Sequence, residues 1–517
     1  MSSRVPTNKK LFIVNSVASL VTRLLSITVL IWVQQFLIKR ISVEEYSLLP
    51  LIFSLLMLLP FFSYILTGGL KRYVMEAYAT HQDDRIAQII SSMLPFFLLA
   101  GILLLCIGGL LAWQIDKLLM IEPEYVGAAQ LMLMLVISLE AIRLVAKVFS
   151  NGLFVKQKFV LESVIKITCE ILRLSLLFLF LFGFSVSVLS VVVASVVAGS
   201  LEVIILLVAS LKLLPQQKIK SITIDWNIVK ELISFGGWSS LFGFSETVRK
   251  AADPIILNRL STPVDVASFH LGSLVPNRLE ILVNQSFMSS ISPIIVGLNA
   301  ENNDKKLKHL YLRLGRLLLW GLLLLISPLI IHYEQIVILY VGEKYSSAGV
   351  VMVLLLACFP FVYGNLLQRP LAAAKKRMRS LAYREVFSAT LNLTLTLILV
   401  GMYHMGAIGS ALATFLVYGI GSLFIFLPFG KSLVNVTWRE VWTEIFQPVL
   451  FPFVMALLSM QLLLSYMPAE TWLAIFSNSV AGGIVYLIVL WLVSKDLDKA
   501  QFRTVMIKVF SFFRPQQ

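Results

Sequence analysis

The chain has 517 residues, of which 58% are hydrophobic and only 14% are Asp, Glu, Lys or Arg. Soluble domains carry about 25% charged residues, and the mean hydropathy of +0.88 would leave a water-exposed surface short of polar groups. Soluble enzymes, nucleic-acid-binding proteins and disordered proteins are therefore excluded. The three cysteines, Cys106, Cys169 and Cys358, lie in apolar runs without CxxC spacing, so they predict neither a disulfide framework nor a zinc site.

Apolar runs of about 20 residues, the length that crosses a bilayer, recur from Leu11 to Val493. They predict an all-α, polytopic integral membrane protein with about 14 transmembrane helices. The first run is too long for a signal-peptide core, so we expect it to remain as a span. The predicted spans are 11–38, 46–68, 88–112, 126–149, 161–182, 186–211, 232–258, 266–298, 313–331, 347–368, 383–402, 406–429, 447–466 and 471–494.

The basic residues are distributed unevenly between the two sides of the predicted membrane. Of the 43 Lys and Arg residues, 30 lie in or beside the termini and the even-to-odd connections, whereas only 5 lie in the opposite connections. The positive-inside rule then places both termini in the cytoplasm. The net charge of +15 thus reports membrane topology and contact with anionic lipid headgroups rather than nucleic-acid binding.

Four short sequence patterns recur with an offset of about 220 residues. Arg40-Ile41-Ser42 matches Arg259-Leu260-Ser261, and the other pairs are 79–86 with 300–307, 119–128 with 339–348, and 151–153 with 369–371. Six spans separate the copies, so both repeats would insert in the same orientation.

The repeat predicts two six-helix lobes related by a pseudo-twofold axis, with a binding cavity between them. The predicted divisions are an N-lobe at 1–212, a C-lobe at 213–430, appended spans 13 and 14 at 431–494, and a cytoplasmic amphipathic tail at 495–517. A frayed polar tail is the alternative for the last segment.

Charged residues concentrate inside spans 1 and 4–8, where each costs about 2.5–3.5 kcal/mol to insert at the bilayer centre. Such faces should line a hydrated cavity or a contact between lobes. We predict a basic set that binds substrate: Arg23, Arg143, Lys147, Lys166, Arg173, Arg249 and Lys250. We predict an acidic set that couples transport to an ion: Glu140, Glu170, Glu246 and Asp253.

The spacing leaves a second interpretation of these charges. Several acidic and basic residues stand three or four positions apart on one helix and can neutralise each other as purely structural pairs. Arg23 has no carboxylate on its own span, and an always-charged planar guanidinium suits a phosphate ligand.

Several of these stretches resemble polysaccharide repeat-unit flippases. The resemblance rests on 19–25 with Glu44-Glu45-Tyr46, on 69–83, on 253–261 and on 339–348. The superfamily is that of the multidrug/oligosaccharidyl-lipid/polysaccharide exporters, which also contains lipid II flippases and drug antiporters. Arg23 matches a cavity arginine of the lipid II flippases, but 61–68 has no arginine where they carry one, which favours a different lipid-linked glycan.

The resemblance implies a flippase that moves an undecaprenyl-pyrophosphate-linked oligosaccharide from the cytoplasmic to the outer leaflet of a bacterial inner membrane. The chain would act in polysaccharide or lipopolysaccharide biosynthesis by alternating access. It implies an H⁺ or Na⁺ gradient as energy source, and a glycan polymerase and a chain-length regulator as partners. Spans 13 and 14, apolar in sequence, are expected to help form a slot for the polyprenyl tail.

Other functions remain open at this point. A drug/cation antiporter of the same superfamily would need acidic cavity groups, and the basic excess in spans 1 and 4 counts against it. A major-facilitator transporter is disfavoured because Asp84-Arg85 lacks the flanking glycines of that family's loop. A glycan polymerase or ligase would need a large outer loop. We expect no enzyme activity, no metal centre and no cofactor, since no P-loop, HExxH or GxSxG motif occurs.

Overall fold

The structure is a computed structural model, and it describes residues 31–58, 66, 70–156, 158–183, 186–217, 224–494 and 499. All regular elements among these residues are helical. The long helices are α1 (31–38), α2 (Val43–Leu58), α3 (Asp83–Trp113), α4 (Pro123–Ala146), α5 (Phe159–Gly183), α6 (Val188–Leu213), α7 (Trp226–Leu260), α8 (Pro263–Ala300), α9 (Asp304–Ile331), α10 (Ser347–Ala374), α11 (Met378–Met402), α12 (Gly406–Leu433), α13 (Trp438–Tyr466) and α14 (Trp472–Val493). Short helices at Leu70–Ala79, Ile115–Leu118, Asn151–Val155 and Tyr333–Val341 connect them.

Each predicted span from 3 to 14 coincides with one long helix, and the described parts of spans 1 and 2 are helical at 31–38 and Val43–Leu58, so the all-α architecture is confirmed. The rest of span 1 lies outside the described residues. The helix ends follow capping chemistry rather than hydropathy. The side chain of Asp225 accepts the backbone N–H groups of Asn227 and Ile228, which starts α7 six residues before the predicted span. Thr437 and Glu440 form a capping box that starts α13 at Trp438, well before the predicted residue 447.

The surface of the helices is apolar, as a bilayer requires. Large hydrophobic side chains such as Leu110, Phe424, Leu462 and Leu473 are more than half exposed. Eight of the described helices combine the length and hydropathy of a membrane span. The chain is therefore a multi-pass integral membrane protein.

The chain forms two compact units. Unit 1 comprises residues 1–271 and 378–410, and unit 2 comprises 272–377 and 411–517. The lobe boundaries at 212 and 430 stay a prediction. The predicted tail at 495–517 lies outside the described residues except for Lys499.

A hydrophobic core of unit 1 lies where α3 meets the short helix Leu70–Ala79 and the end of α4. Val74, Met93, Phe97 and Val148 are fully buried there. Hydrogen bonds also attach the start of α2 to the starts of α4 and α6. Ser42 Oγ lies 3.1 Å from Tyr125 Oη, and Glu45 accepts the backbone N–H of Val188 at 2.9 Å.

In unit 2, α13 and α14 pack on α9. Arg316 of α9 is almost fully buried and donates to the Glu444 carboxylate of α13 at 3.1 Å. Tyr486 of α14 donates to the Trp320 carbonyl at 2.9 Å. The helix α13 begins before the predicted span 447–466, so it carries Glu440 and Glu444 ahead of that apolar stretch.

The sequence repeat is visible in local backbone geometry. The turn that leads into α3 contains His81 at φ 60°, and the turn that leads into α9 contains Asn302 at φ 53°. These positions are 221 residues apart, and each is followed two residues later by the aspartate that begins the helix. The two sequence copies therefore form the same left-handed turn.

Candidate functional site

The candidate site consists of charged side chains on α4, α5 and α7 and of hydroxyl groups on α11 and α12, all within unit 1. On α4, Arg143 Nη1 donates to Glu140 Oε1 at 2.6 Å. Arg143 also packs against Gly199 of α6, where an added Cβ would lie 2.8 Å from its Nη2 atom. Because Gly199 has no side chain, the guanidinium of Arg143 can occupy this space.

The polar face of α5 carries two ion pairs in sequence. Lys166 Nζ lies 2.5 Å from Glu162 Oε1, one turn apart. Arg173 holds Glu170 with two hydrogen bonds, from Nε at 3.0 Å and from Nη2 at 2.5 Å. This bidentate geometry is the strongest form of carboxylate–guanidinium pairing.

The side chains of these ion pairs are partly exposed at the protein surface. The side chains of Arg143 and Lys166 are 36% and 45% exposed, whereas Arg173 is 19% exposed. Each of the three basic groups is paired with a carboxylate on its own helix, three or four positions away, as the sequence spacing predicted. The pairs are thus neutralised within one helix and only partly buried.

On α7 the predicted charges split into two groups. Lys250 Nζ lies 3.4 Å from Glu246 Oε1, and both side chains are about one quarter exposed. Arg249 lies one helical turn before Asp253 and acts on that carboxylate electrostatically. Of the four predicted acidic residues, Asp253 is the most buried, at 5% exposed.

Asp253 sits in a polar pocket that other helices complete. The hydroxyl of Thr396 on α11 donates to Asp253 Oδ1 at 3.4 Å. The buried hydroxyl of Ser410, at the start of α12, lies near the same carboxyl group but is not in hydrogen-bonding geometry with it. The buried carboxylate of Asp253 thus has one hydroxyl partner on α11, with the Arg249 cation and the Ser410 hydroxyl nearby.

Sequence reasoning missed the contribution of α11. Its buried face carries four polar residues at positions i, i+3, i+7 and i+11, and this face packs along α7. They are Glu385, Ser388, Asn392 and Thr396. Polar residues at helical spacing in an apolar span are the signal that could have found them, because a lipid-facing stripe would not be polar.

Two predicted residues are not brought into these groups. Arg23 lies outside the described residues. Lys147 is exposed at the end of α4, where the helix continues as the 3-10 turn Lys147–Phe149.

The family model described as "Polysaccharide biosynthesis protein" matches residues 9–299, which is more than half of the chain. The chain belongs to this family. The match includes all the predicted site residues, from Arg23 to Asp253, while Thr396 and Ser410 lie beyond it. No curated protein sequence matches the chain.

Solved structures share the fold of this polysaccharide biosynthesis protein at low sequence identity. The lipid II flippase MurJ in an inward closed conformation has a TM-score of 0.68 at 16% identity, covering 94% of this chain and 99% of its own. An inward-facing multidrug resistance MATE family transporter of the MOP superfamily has a TM-score of 0.60 at 15% identity, covering 81% and 94%. A MOP superfamily transporter from Pyrococcus furiosus, for which reverse polarity of the binding pocket is described, has a TM-score of 0.60 at 12% identity, covering 84% and 100%.

Proposed function

We propose that this member of the polysaccharide biosynthesis family is a flippase for a lipid-linked oligosaccharide. Its substrate would be an undecaprenyl-pyrophosphate-linked repeat unit, moved from the cytoplasmic to the outer leaflet of a bacterial inner membrane. The observation that carries the proposal is the family match over residues 9–299. The fold alone does not distinguish a flippase from a multidrug transporter, because the MurJ flippase and MATE transporters share it.

The ion pairs of α4 and α5 support an anionic substrate. A pyrophosphate offers several oxygens to a planar guanidinium and competes directly with a carboxylate for the same N–H groups. We propose that Arg143, Lys166 and Arg173 exchange their carboxylate partners for the pyrophosphate when substrate enters. The partners would neutralise the cations again after release, which keeps the charges tolerable in the empty carrier.

Asp253 is the strongest candidate for ion coupling. Glu140, Glu170 and Glu246 are each paired with a basic group on their own helix. Asp253 instead lies buried among hydroxyls, with Arg249 nearby. A proton or a sodium ion that binds there would offset the carboxylate charge and weaken its hold on Arg249, so ion binding would be transmitted along α7.

The energy released when one coupling ion crosses the membrane is sufficient to bias an alternating-access transport cycle. Moving one charge across a membrane potential is worth about 2.3 kcal/mol per 100 mV. Alternating access driven by this bias needs no nucleotide hydrolysis. We further propose that the termini are cytoplasmic and that a glycan polymerase and a chain-length regulator act beside the flippase.

A deletion strain tests the proposal. Undecaprenyl-linked oligosaccharide is extracted and quantified, and the surface polysaccharide is measured in parallel. We expect the lipid-linked pool to accumulate and the surface glycan to disappear, with both restored by the wild-type gene. An unchanged pool with intact surface glycan would reject the proposal. Efflux of organic cations by the same strains would then support the antiporter alternative.

A further inference from the structure

A separate cluster in unit 1 contains an arginine that packs against two aromatic rings. The guanidinium carbon of Arg379 lies 5.4 Å from the ring centroid of Trp238 on α7 and 5.5 Å from that of Tyr383 on α11. The two rings pack edge to face with centroids 5.5 Å apart. Two cation–π contacts restrict the side chain to one place, which reduces the entropy that a ligand would otherwise have to overcome.

Arg379 lacks an ionic partner within the described part of the chain. Its one hydrogen bond there runs from Nη2 to the Tyr383 hydroxyl at 3.3 Å, and no described carboxylate lies within 4 Å. The arginine is exposed, so its remaining N–H groups are available to a ligand. Arg143, Arg173 and Arg316, in contrast, each hold a carboxylate.

The cluster lies at the N-terminal end of a helix that can span a membrane. Arg379 is the second residue of α11, a helix long and apolar enough to span the membrane. Below it, the outward face of α11 presents Tyr383, Phe387 and Leu391, which are 51%, 59% and 36% exposed. The distance along the axis of α11 from Arg379 to Leu391 is about 18 Å, at a rise of 1.5 Å per residue. This length is close to the thickness of one hydrocarbon leaflet, about 15 Å.

We propose that Arg379 binds the phosphodiester of an anionic membrane phospholipid, whose acyl chain lies along Tyr383, Phe387 and Leu391. One guanidinium matches the single charge of such a headgroup. A pyrophosphate carries at least two negative charges, more than one guanidinium balances. A zwitterionic headgroup neutralises its own phosphate and gains less from the arginine.

A lipid held here would join α7 to α11. These are the helices that bury Asp253 and Thr396, so the headgroup would stabilise the helix pair on which the coupling pocket is built. The site is distinct from the charged groups of α4 and α5.

Native mass spectrometry of the full-length protein in detergent tests the site, with phosphatidylglycerol and phosphatidylcholine as probes. We expect the wild type to bind phosphatidylglycerol about tenfold more tightly than phosphatidylcholine, and Arg379→Ala to lose that preference. Arg85→Ala is the matched control, because Arg85 is an exposed arginine near the start of α3 whose described contact is only with Gln82. It should retain the wild-type preference.

Two further variants keep the test decisive. Arg379→Gln removes the charge with less change in shape, so it serves if the alanine variant is poorly folded. Trp238→Leu should weaken phosphatidylglycerol binding about threefold, because the guanidinium loses one of its two rings. Equal phosphatidylglycerol affinity in the Arg379 and Arg85 variants would overturn the proposal. So would tighter binding of undecaprenyl pyrophosphate than of phosphatidylglycerol at this arginine.

Discussion

The side chain of Asn258 forms two hydrogen bonds with the backbone of Met120, although 138 residues separate them. Its Oδ1 accepts the Met120 N–H at 2.7 Å, and its Nδ2 donates to the Met120 carbonyl at 3.0 Å. The next residue, Arg259, donates from Nε to the Leu118 carbonyl at 2.6 Å. The end of α7 is thus attached to the connection between α3 and α4 in unit 1.

We expect Asn258→Ala to lower the free energy of unfolding by about 1–2 kcal/mol, because two backbone groups of Met120 lose their partners. Denaturation of the purified protein in detergent measures the change. Asn227→Ala is the control, since Asn227 is an exposed residue at the start of the same helix. Equal stabilities of the two variants would show that water replaces the Asn258 side chain without cost.

Asp253→Asn should abolish glycan export while the protein still reaches the membrane at normal levels. The amide keeps the shape and can still accept from Thr396, but it cannot bind a proton or balance Arg249. Export of the lipid-linked glycan in the complemented deletion strain is the readout. Glu124→Gln, an exposed change in the first turn of α4, should export normally. Wild-type export by Asp253→Asn would remove this residue from the coupling mechanism.

Arg23→Ala is predicted to abolish export while leaving membrane levels intact, because its guanidinium has no carboxylate on the same span and suits a pyrophosphate. Lys431→Ala is the control. Lys431 contacts the Trp438 ring at 5.0 Å and carries no predicted transport role. Loss of the Arg23→Ala protein from the membrane would instead assign the arginine a structural role.

Arg316→Ala should destabilise unit 2 by about 3 kcal/mol, because removing one partner leaves the Glu444 carboxylate uncompensated. The Arg316 side chain is 7% exposed, and it also donates to the Glu444 backbone carbonyl at 2.9 Å. The double change Arg316→Met with Glu444→Leu should recover most of the loss. Thermal denaturation of the three proteins gives the comparison, and equal melting of single and double variants would contradict it.

Gly152→Ala should lower the free energy of unfolding by about 1–3 kcal/mol through overpacking. The Gly152 N–H donates to the Ser210 hydroxyl at 2.8 Å, and an added Cβ would collide with the Ser210 carbonyl. Gly109→Ala in α3 meets no atom within 4 Å and serves as the control. It should be neutral or slightly stabilising, since alanine favours the helix.

Much of the candidate site could be predicted from helical spacing. The pairs Glu140–Arg143, Glu162–Lys166 and Glu246–Lys250 lie within one helix, where residues three or four apart are neighbours by geometry. The sequence therefore indicated these contacts before the structure placed them. The pocket around Asp253 was only half predicted, because Thr396 and Ser410 come from helices more than 140 residues away.

The sequence by itself determined that the chain crosses the membrane many times, where most helices lie, and which helices carry charge, because hydropathy and helical periodicity are local properties. Only the tertiary structure decided that Arg316 meets Glu444, that Asn258 meets Met120 and that Thr396 reaches Asp253. Those contacts depend on the rotation of each helix and on the angle at which it crosses its neighbour. Neither quantity is fixed by the spacing of residues along one helix.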